Sequence, residues 1–215
     1  MSFFNFFKSN KEVKTEIDID IILKGLNVMA ILDIILDPKK DYQRYVGYSH
    51  EDDLKTYNLD TGGGDTLNVY ILDNYILIKG FDHESELNQF SKDEWDKNFF
   101  DYIYSGFPND LRKLLSEDDV DYTTFAMWYN PKQNCWNQNK WQENDGGEKF
   151  LLSLIRKNAI EWCDWAKYYY SREFDINIIK KIYETQTVTD EQIQKINPET
   201  DSIIIINKLK EKGLL

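Results

Sequence analysis

Thr66-Leu67-Asn68-Val69-Tyr70-Ile71-Leu72-Asp73-Asn74-Tyr75-Ile76-Leu77-Ile78-Lys79 is the stretch whose reading decides the fold. Its β-branched and aromatic residues predict two strands, Thr66–Leu72 and Tyr75–Lys79. Asp73-Asn74 between them is a two-residue turn signal, which makes the pair an antiparallel hairpin. Outward from it, Arg44–Ser49 reads as a short strand. Tyr122–Tyr129 reads as another, with Thr123, Phe125, Met127 and Tyr129 on one face, and Trp136 to Trp141 adds an edge strand. Asp93–Tyr104 and Asp110–Leu115 between them read as helices.

Helices flank this central run. Apolar positions 22, 26, 29, 32 and 33/36 predict a helix over residues 19–36, although Asp33 interrupts the stripe and Ile17, Ile19 and Ile21 alternate in strand fashion with Asp18 and Asp20. Asp37-Pro38 ends it, because proline disfavours helix in the residue before it. The last third is helical. Apolar residues at 151, 155, 159, 162, 163, 166 and 170 follow one face of a long or slightly broken helix over Glu148–Ile155 and Ala159–Tyr170. Ile176–Tyr183 follows, then a short helix capped by Thr189 with Gln192 and ending before Pro198, then Asp201–Lys212 with Gly213 as its C-cap. The expected class is α+β: an antiparallel sheet from the central region with helices packed on it and a helical C-terminal third. No repeat or low-complexity linker divides the chain, so residues 1–215 read as one domain, with 1–15 as a loosely attached N-terminal segment.

Composition narrows the function classes. The 215 residues carry 26 Lys and Arg against 38 Asp and Glu, a formal charge of −12. That balance argues against nucleic acid, whose phosphates are bound through clustered cations. The longest apolar runs, such as Val28-Met29-Ala30-Ile31-Leu32, have five residues, whereas a membrane span needs about 20. Met1–Lys8 has no basic region ahead of its apolar residues and no small-residue cleavage site, so no secretory signal is read there. Cys135 and Cys163 stand 28 positions apart and read as reduced thiols of a cytoplasmic chain. The Phe3–Phe7 cluster has two readings, rings docked on the body of the protein or an interfacial membrane anchor; no basic face accompanies the rings, which favours docking.

The charge is unevenly placed. Residues 1–40 and 131–215 are each neutral overall, while residues 41–130 hold 19 acidic and seven basic residues and so the whole −12. The clusters are Glu51-Asp52-Asp53, Asp82/Glu84/Glu86, Asp93-Glu94/Asp96 and Glu117-Asp118-Asp119/Asp121. Such a run is ordinarily a solvated face. The functional readings are a surface for a basic partner or a cation site.

The glycines of Thr61-Gly62-Gly63-Gly64-Asp65 suggest a phosphate loop, but they precede a strand instead of opening a helix, and no Gly-Lys-Ser/Thr follows. They read as a flexible approach to the hairpin. Gly80-Phe81-Asp82-His83-Glu84-Ser85 is the most concentrated polar segment. The two histidines, His50 and His83, both fall in acidic surroundings directly after expected strands. Two imidazoles and a carboxylate from Asp82 or Glu84 make a metal set in which a carboxylate acts as base on bound water. The spacing does not demand it: there is no His-Glu-x-x-His, no His-x-His and no paired cysteine. No Gly-x-Ser-x-Gly elbow exists, Ser85 is too near His83 in sequence for triad geometry, and Cys163 lies on an apolar helix face. Trp128, Trp136, Trp141, Trp162 and Trp165 read as core, although Trp165 with Tyr168, Tyr169 and Tyr170 covers more than one helix face, so one ring must look outward.

Taken together, Arg44–Gly47, the 62–65 loop, Gly80–Ser85, Gly106-Phe107-Pro108, Thr123-Thr124-Phe125 with Trp128, Trp165-Ala166 with Tyr168–Tyr170, and Ile196-Asn197-Pro198 resemble segments of a group of uncharacterised bacterial proteins over residues 40–200. The resemblance implies a bacterial origin and one continuous domain, and brings no activity. The acidic composition is also similar to that of bacterial immunity proteins, which neutralise basic toxin domains. The expectation is therefore an acidic, non-catalytic, cytoplasmic binding or regulatory module for a basic protein, without cofactor. Its candidate binding residues are Asp82, His83, Glu84, Ser85, His50, Asp52, Asp53 and Asp65. The alternative is a metal-dependent hydrolase with His50, His83, Asp82 and Glu84 as ligand candidates.

Overall fold

The computed structural model describes residues 17–39 and 44–215 and the backbone of residues 12 and 13; the Phe3–Phe7 cluster lies outside the described residues. Six strands follow one another in space as in sequence: β2 (Val46–Glu51), β3 (Leu54–Asp60), β4 (Thr66–Leu72), β5 (Tyr75–Phe81), β6 (Phe125–Asn130) and β7 (Cys135–Gln138). The two-residue β1 (Glu12–Val13) lies beyond β7 and completes a seven-stranded sheet. Every pairing is antiparallel. Asp73 and Asn74 make the tight turn from β4 to β5, with Leu72 opposite Tyr75.

β5 occupies the middle of the sheet and is buried on both faces. On the first face Ile76 and Ile78 join Leu67, Val69, Phe125 and Met127. This face is covered by α1 (Ile19–Leu36), α5 (Glu148–Ser153), α6 (Ala159–Tyr169), α7 (Ile176–Thr185), α8 (Asp190–Ile196) and α9 (Ser202–Glu211). On the second face Leu77 packs with Tyr70, Ala126 and Trp128 under Leu87, Phe99, Ile103, Tyr104 and Leu111. That cover comes from the β5–β6 connection, which contains α2 (Lys97–Ile103), α3 (Asn109–Arg112) and α4 (Glu117–Asp121). Alternate residues of a strand point to opposite faces, so two covered faces turn an alternating pattern into a continuous apolar run.

α1 is buried over most of its circumference, so Asp33 has no solvated side to occupy. It is used instead. Asp33 Oδ2 accepts from the Val46 N–H at 3.1 Å and Oδ1 from the Tyr170 hydroxyl at 2.8 Å. The Asp33 carbonyl accepts from Arg44 Nη1 at 2.9 Å. One residue thus joins α1, the start of β2 and the end of α6. Lys79 does the equivalent on the second face. It is 2 % exposed, and its ammonium donates to the carbonyls of Asp119 (2.6 Å) and Tyr122 (3.1 Å). Burial pushes the Lys79 pKa down, against the opposing pull of the Asp119 carboxylate, whose Oδ1 lies 3.6 Å away.

Several expectations shift. Leu54–Asp60, to which the sequence reading assigns no element, forms β3; its outward positions are polar, so only Tyr57 and Leu59 mark it. The first strand starts two residues late, at Val46, so His50 lies within β2 opposite Lys55 and not in a loop. The helix expected from Asp93 begins at Lys97, capped by Asp96. The acidic stretch Glu117–Asp121 folds as α4, held by a capping box between Ser116 and Asp119. The two segments read over Glu148–Ile155 and Ala159–Tyr170 are separate helices, α5 and α6, with Asn158 capping the second. The strand expected from Trp136 ends at Gln138 and has β1 outside it. Among the described residues no helix is long and apolar enough to cross a membrane.

Lys79→Met keeps the stem and removes the donor from two carbonyls. We expect a loss of at least about 2 kcal/mol, because buried groups left unpaired forfeit their full desolvation cost. A lowered urea midpoint at unchanged slope checks this.

Candidate functional site

The ends of the central hairpin bring the polar segment together. Thr66 pairs with Phe81, so Asp65 just before β4 and Asp82 just after β5 leave the sheet side by side. The loop ahead of Asp65 is turned by Gly62 and Gly64, at φ +72° and +102°, a region open to glycine but strained for other residues. The Asp60 and Thr61 side chains catch the N–H groups of Gly62 (2.8 Å) and Gly63 (3.1 Å). A Cβ on Gly64 would stand 3.3 Å from the His83 ring, so the glycine lets the imidazole lie against the loop.

His83 is held from both ends. Its Nδ1 lies 2.7 Å from Asp65 Oδ1, the same oxygen that accepts the His83 backbone N–H at 3.1 Å. Its Nε2 lies 3.0 Å from Glu84 Oε1. Asp65 is buried, whereas His83 and Glu84 are exposed. The hydrogen bond to Asp65 is the main reason the His83 pKa stands above its ordinary value. Asp82 moves up from the carboxylate range, chiefly by burial. Its N–H donates to Thr124 Oγ1 at 3.0 Å, and that hydroxyl donates to the Gly146 carbonyl at 2.6 Å. Gly147, at φ +84°, leaves room for the Asp82 carboxylate: a Cβ there would come within 2.4 Å of Oδ2.

The rest of the segment serves its own backbone. Asp82 Oδ1 accepts from the Glu84 N–H (3.0 Å), Ser85 Oγ from Leu87 (3.2 Å) and Asn88 Oδ1 from Phe90 (2.9 Å). Asn88 Nδ2 donates to the His83 carbonyl at 2.8 Å. Gln89, fully inside, accepts the Asp96 N–H at 3.0 Å and donates to the Leu87 carbonyl at 3.0 Å. Polar side chains bonded to nearby backbone are turn-forming devices, and here they order the whole loop from Asp82 to Asp96.

Asp65, Asp82, His83, Glu84 and Ser85 are therefore neighbours. His50, Asp52 and Asp53 are not among them. His50 lies by Gly213, whose added Cβ would come 3.1 Å from its Nδ1, and Asp52 and Asp53 form the β2–β3 turn beside it. Along β3 that end is separated from Asp60 by the length from Lys55, about 17 Å at 3.4 Å per residue. The two histidines cannot share an ion, because metal–ligand bonds are about 2 Å long. What remains is Asp65, Asp82 and His83, whose ligand atoms lie within 4.8 Å of one another. One imidazole with two carboxylates is a plausible donor set for a divalent metal. Against it, both His83 nitrogens already face carboxylates, an arrangement that favours the imidazolium, whereas a metal needs the neutral ring. Both cysteines are free thiols, and burial pushes Cys163 up to about 11, away from nucleophile chemistry.

The sequence reading does not connect Thr124, Gly146 and Gly147 with the site, because they reach Asp82 only through the fold. It also passed over Trp95. Trp128, Trp136 and Trp162 are buried as expected and Tyr168 looks outward, but Trp95 is among the exposed rings. Comparison of the chain with protein-family models, with curated proteins and with solved structures finds no match.

A histidine whose folded pKa is raised adds stability that is complete below the unfolded value of about 6.5 and is lost as pH rises through the folded value. We expect the His83 ring proton in an NMR titration to turn over above pH 6.5 in the native protein and to fall back toward that value in Asp65→Asn.

Proposed function

We propose that the protein is a non-catalytic binding module that meets a basic protein partner through carboxylates on the second layer of the sheet. The observation that carries this is the make-up of that layer. Residues 82–124 hold 12 acidic and four basic residues, two-thirds of the formal charge of the chain. Asp93, Glu94, Glu117 and Asp118 are exposed there, and among the described residues none of them pairs with a cation. Carboxylates so arranged raise the potential on one side of the molecule and steer cationic partners toward it. The histidine and carboxylates that chemistry would need are engaged in ordering a loop. Neutralising a basic toxin domain, as bacterial immunity proteins do, is one role this arrangement suits, and no cofactor is required for it.

Tagged protein incubated with extract of its own cells tests the reading. We expect a basic protein to be retained at about 50 mM salt and released near 0.5 M, as screening shortens the reach of surface charge. Retention should fall in the variant carrying Asp93→Asn, Glu94→Gln, Glu117→Gln and Asp118→Asn. If no basic protein is held at low salt, the reading fails.

The 4.8 Å grouping of Asp65, Asp82 and His83 supports a second reading, a metal-dependent hydrolase with a single histidine ligand. Protein purified without chelator and analysed for metal decides between them. We expect less than one-tenth of an equivalent of zinc, because a metal would have to displace both a proton and a carboxylate from His83.

A further inference from the structure

Three aromatic rings form a contiguous row outside the core, on the loop layer over the second face of the sheet, with Phe90 touching the other two. Phe90 is 46 % exposed, Trp95 41 % and Tyr122 51 %. The Phe90 centroid lies 4.6 Å from that of Tyr122 and 5.0 Å from that of Trp95, and buried Phe81 supports the first two from beneath, at 5.8 and 5.3 Å. Single exposed apolar residues are ordinary, but contiguous aromatic surface marks a recognition site. The rings are also fixed in place. Asn88 and Gln89 hold the loop carrying Phe90 and Trp95, and Lys79 holds the carbonyl of Tyr122.

The surroundings say what fits there. Asp93 and Glu94 directly precede Trp95, and Asp121 directly precedes Tyr122. Asp121 is raised in pKa by burial and by the neighbouring charges of Asp118 and Glu117, so the carboxylates crowd one another without a counter-cation among the described residues. A second copy of the chain would bring like charge to like. An anionic lipid surface would be repelled. Elsewhere the molecule packs guanidinium groups on its own rings, Arg112 on Tyr104 at 4.9 Å and Arg172 on Phe174 at 4.6 Å. No cation of the described residues lies over Phe90, Trp95 or Tyr122.

We propose that Phe90, Trp95 and Tyr122 form the docking site for an arginine-rich segment of the partner, whose guanidinium planes stack on the rings while their N–H groups reach Asp93, Glu94 and Asp121. This rests on the basic-partner reading and narrows it. Arginine is specified over lysine because its planar group stacks on an aromatic face and forks onto a carboxylate at once, whereas an ammonium is a compact, strongly hydrated point charge.

The test uses two fluorescein-labelled decapeptides, one alternating arginine with serine and the other lysine with serine, titrated with the whole protein and read by anisotropy. We expect the arginine peptide to bind about fivefold more tightly than the lysine peptide, and Phe90→Ala with Trp95→Ala to weaken it about tenfold and bring the two peptides level. Unchanged circular dichroism and melting show that the variant is folded; if it is not, Tyr122→Ser replaces it and should narrow the preference in the same direction. Equal binding of the two peptides by the native protein overturns the proposal, as does arginine binding that the ring variants leave intact. In either of those cases loss of binding on neutralising Asp93 and Glu94 leaves the basic-partner reading standing. Failure to bind either peptide at about 50 mM salt counts against that reading as well. A native dimer that Trp95→Ala dissociates identifies a second copy as the occupant and also overturns the proposal.

Discussion

The ammonium of Lys79 is the point on which the second half of the structure hangs. A lysine in the middle of a central strand is costly to bury, and its lowered pKa records that cost. Three oxygens offset it. Two are carbonyls at the end of α4 and just beyond, the part of a helix that carries partial negative charge and lacks intrahelical donors. The third belongs to Asp119, which also accepts from the Tyr70 hydroxyl at 3.3 Å and closes the capping box with Ser116. A neutral donor would meet the same carbonyls with about half the strength of a charged one. The layer over the second face is built from short helices and turns, which have little intrinsic stability of their own. Its position is set by packing on Leu77 and Trp128 and by this tie.

The first face solves the same problem with the opposite charge. α1 runs through apolar surroundings, and its one buried acid, Asp33, receives the start of β2 and the hydroxyl of Tyr170. Burial raises the Asp33 pKa while the hydrogen bonds pull it down. In both layers a buried ionisable group helps specify which segments lie against the sheet, where apolar contact alone would allow them to slide. The apolar residues supply most of the driving force and the two polar ties supply the register.

Much of this is legible in the chain. The β4–β5 hairpin shows in its turn residues and apolar run, α1 in its length and in Pro38, and α8 in the Thr189–Gln192 capping box that the structure contains. These signals are local. β3 was not legible, because a strand near the sheet edge with Thr56, Asn58 and Asp60 outward buries only half its side chains. The polar segment after β5 was legible as a cluster, and so was the acidity of its neighbour Asp65. That the cluster caps backbone groups is a matter of loop conformation, which residue types alone do not specify. Nor does spacing show that Gly147, more than 60 residues downstream of Asp82, leaves the space its carboxylate occupies, or that Gly146 lies against Thr124. His50 was misplaced for a related reason: a two-residue shift of β2 moves it from loop to strand, and the hairpin turn then carries it to the far end of the sheet from His83.

The polar segment and the aromatic face belong to one arrangement. Every hydrogen bond that Asp82, Ser85, Asn88 and Gln89 make to the loop backbone removes freedom from the residues that carry Phe90 and Trp95. Ordering a mobile side chain on binding costs about 0.5–1.5 kcal/mol, so rings already held in contact keep more of their stacking energy as affinity. The clamp of His83 between Asp65 and Glu84 fastens the start of the same loop. A segment that looks like a reaction centre in sequence, with its histidine, serine and two acids, thus has its functional groups engaged with Asp65, with one another and with the loop backbone. Beyond that segment, the rings Phe90, Trp95 and Tyr122 and the carboxylates beside them face solvent. This division of labour between an ordered loop and an outward aromatic and acidic face is what supports the proposal of a recognition module.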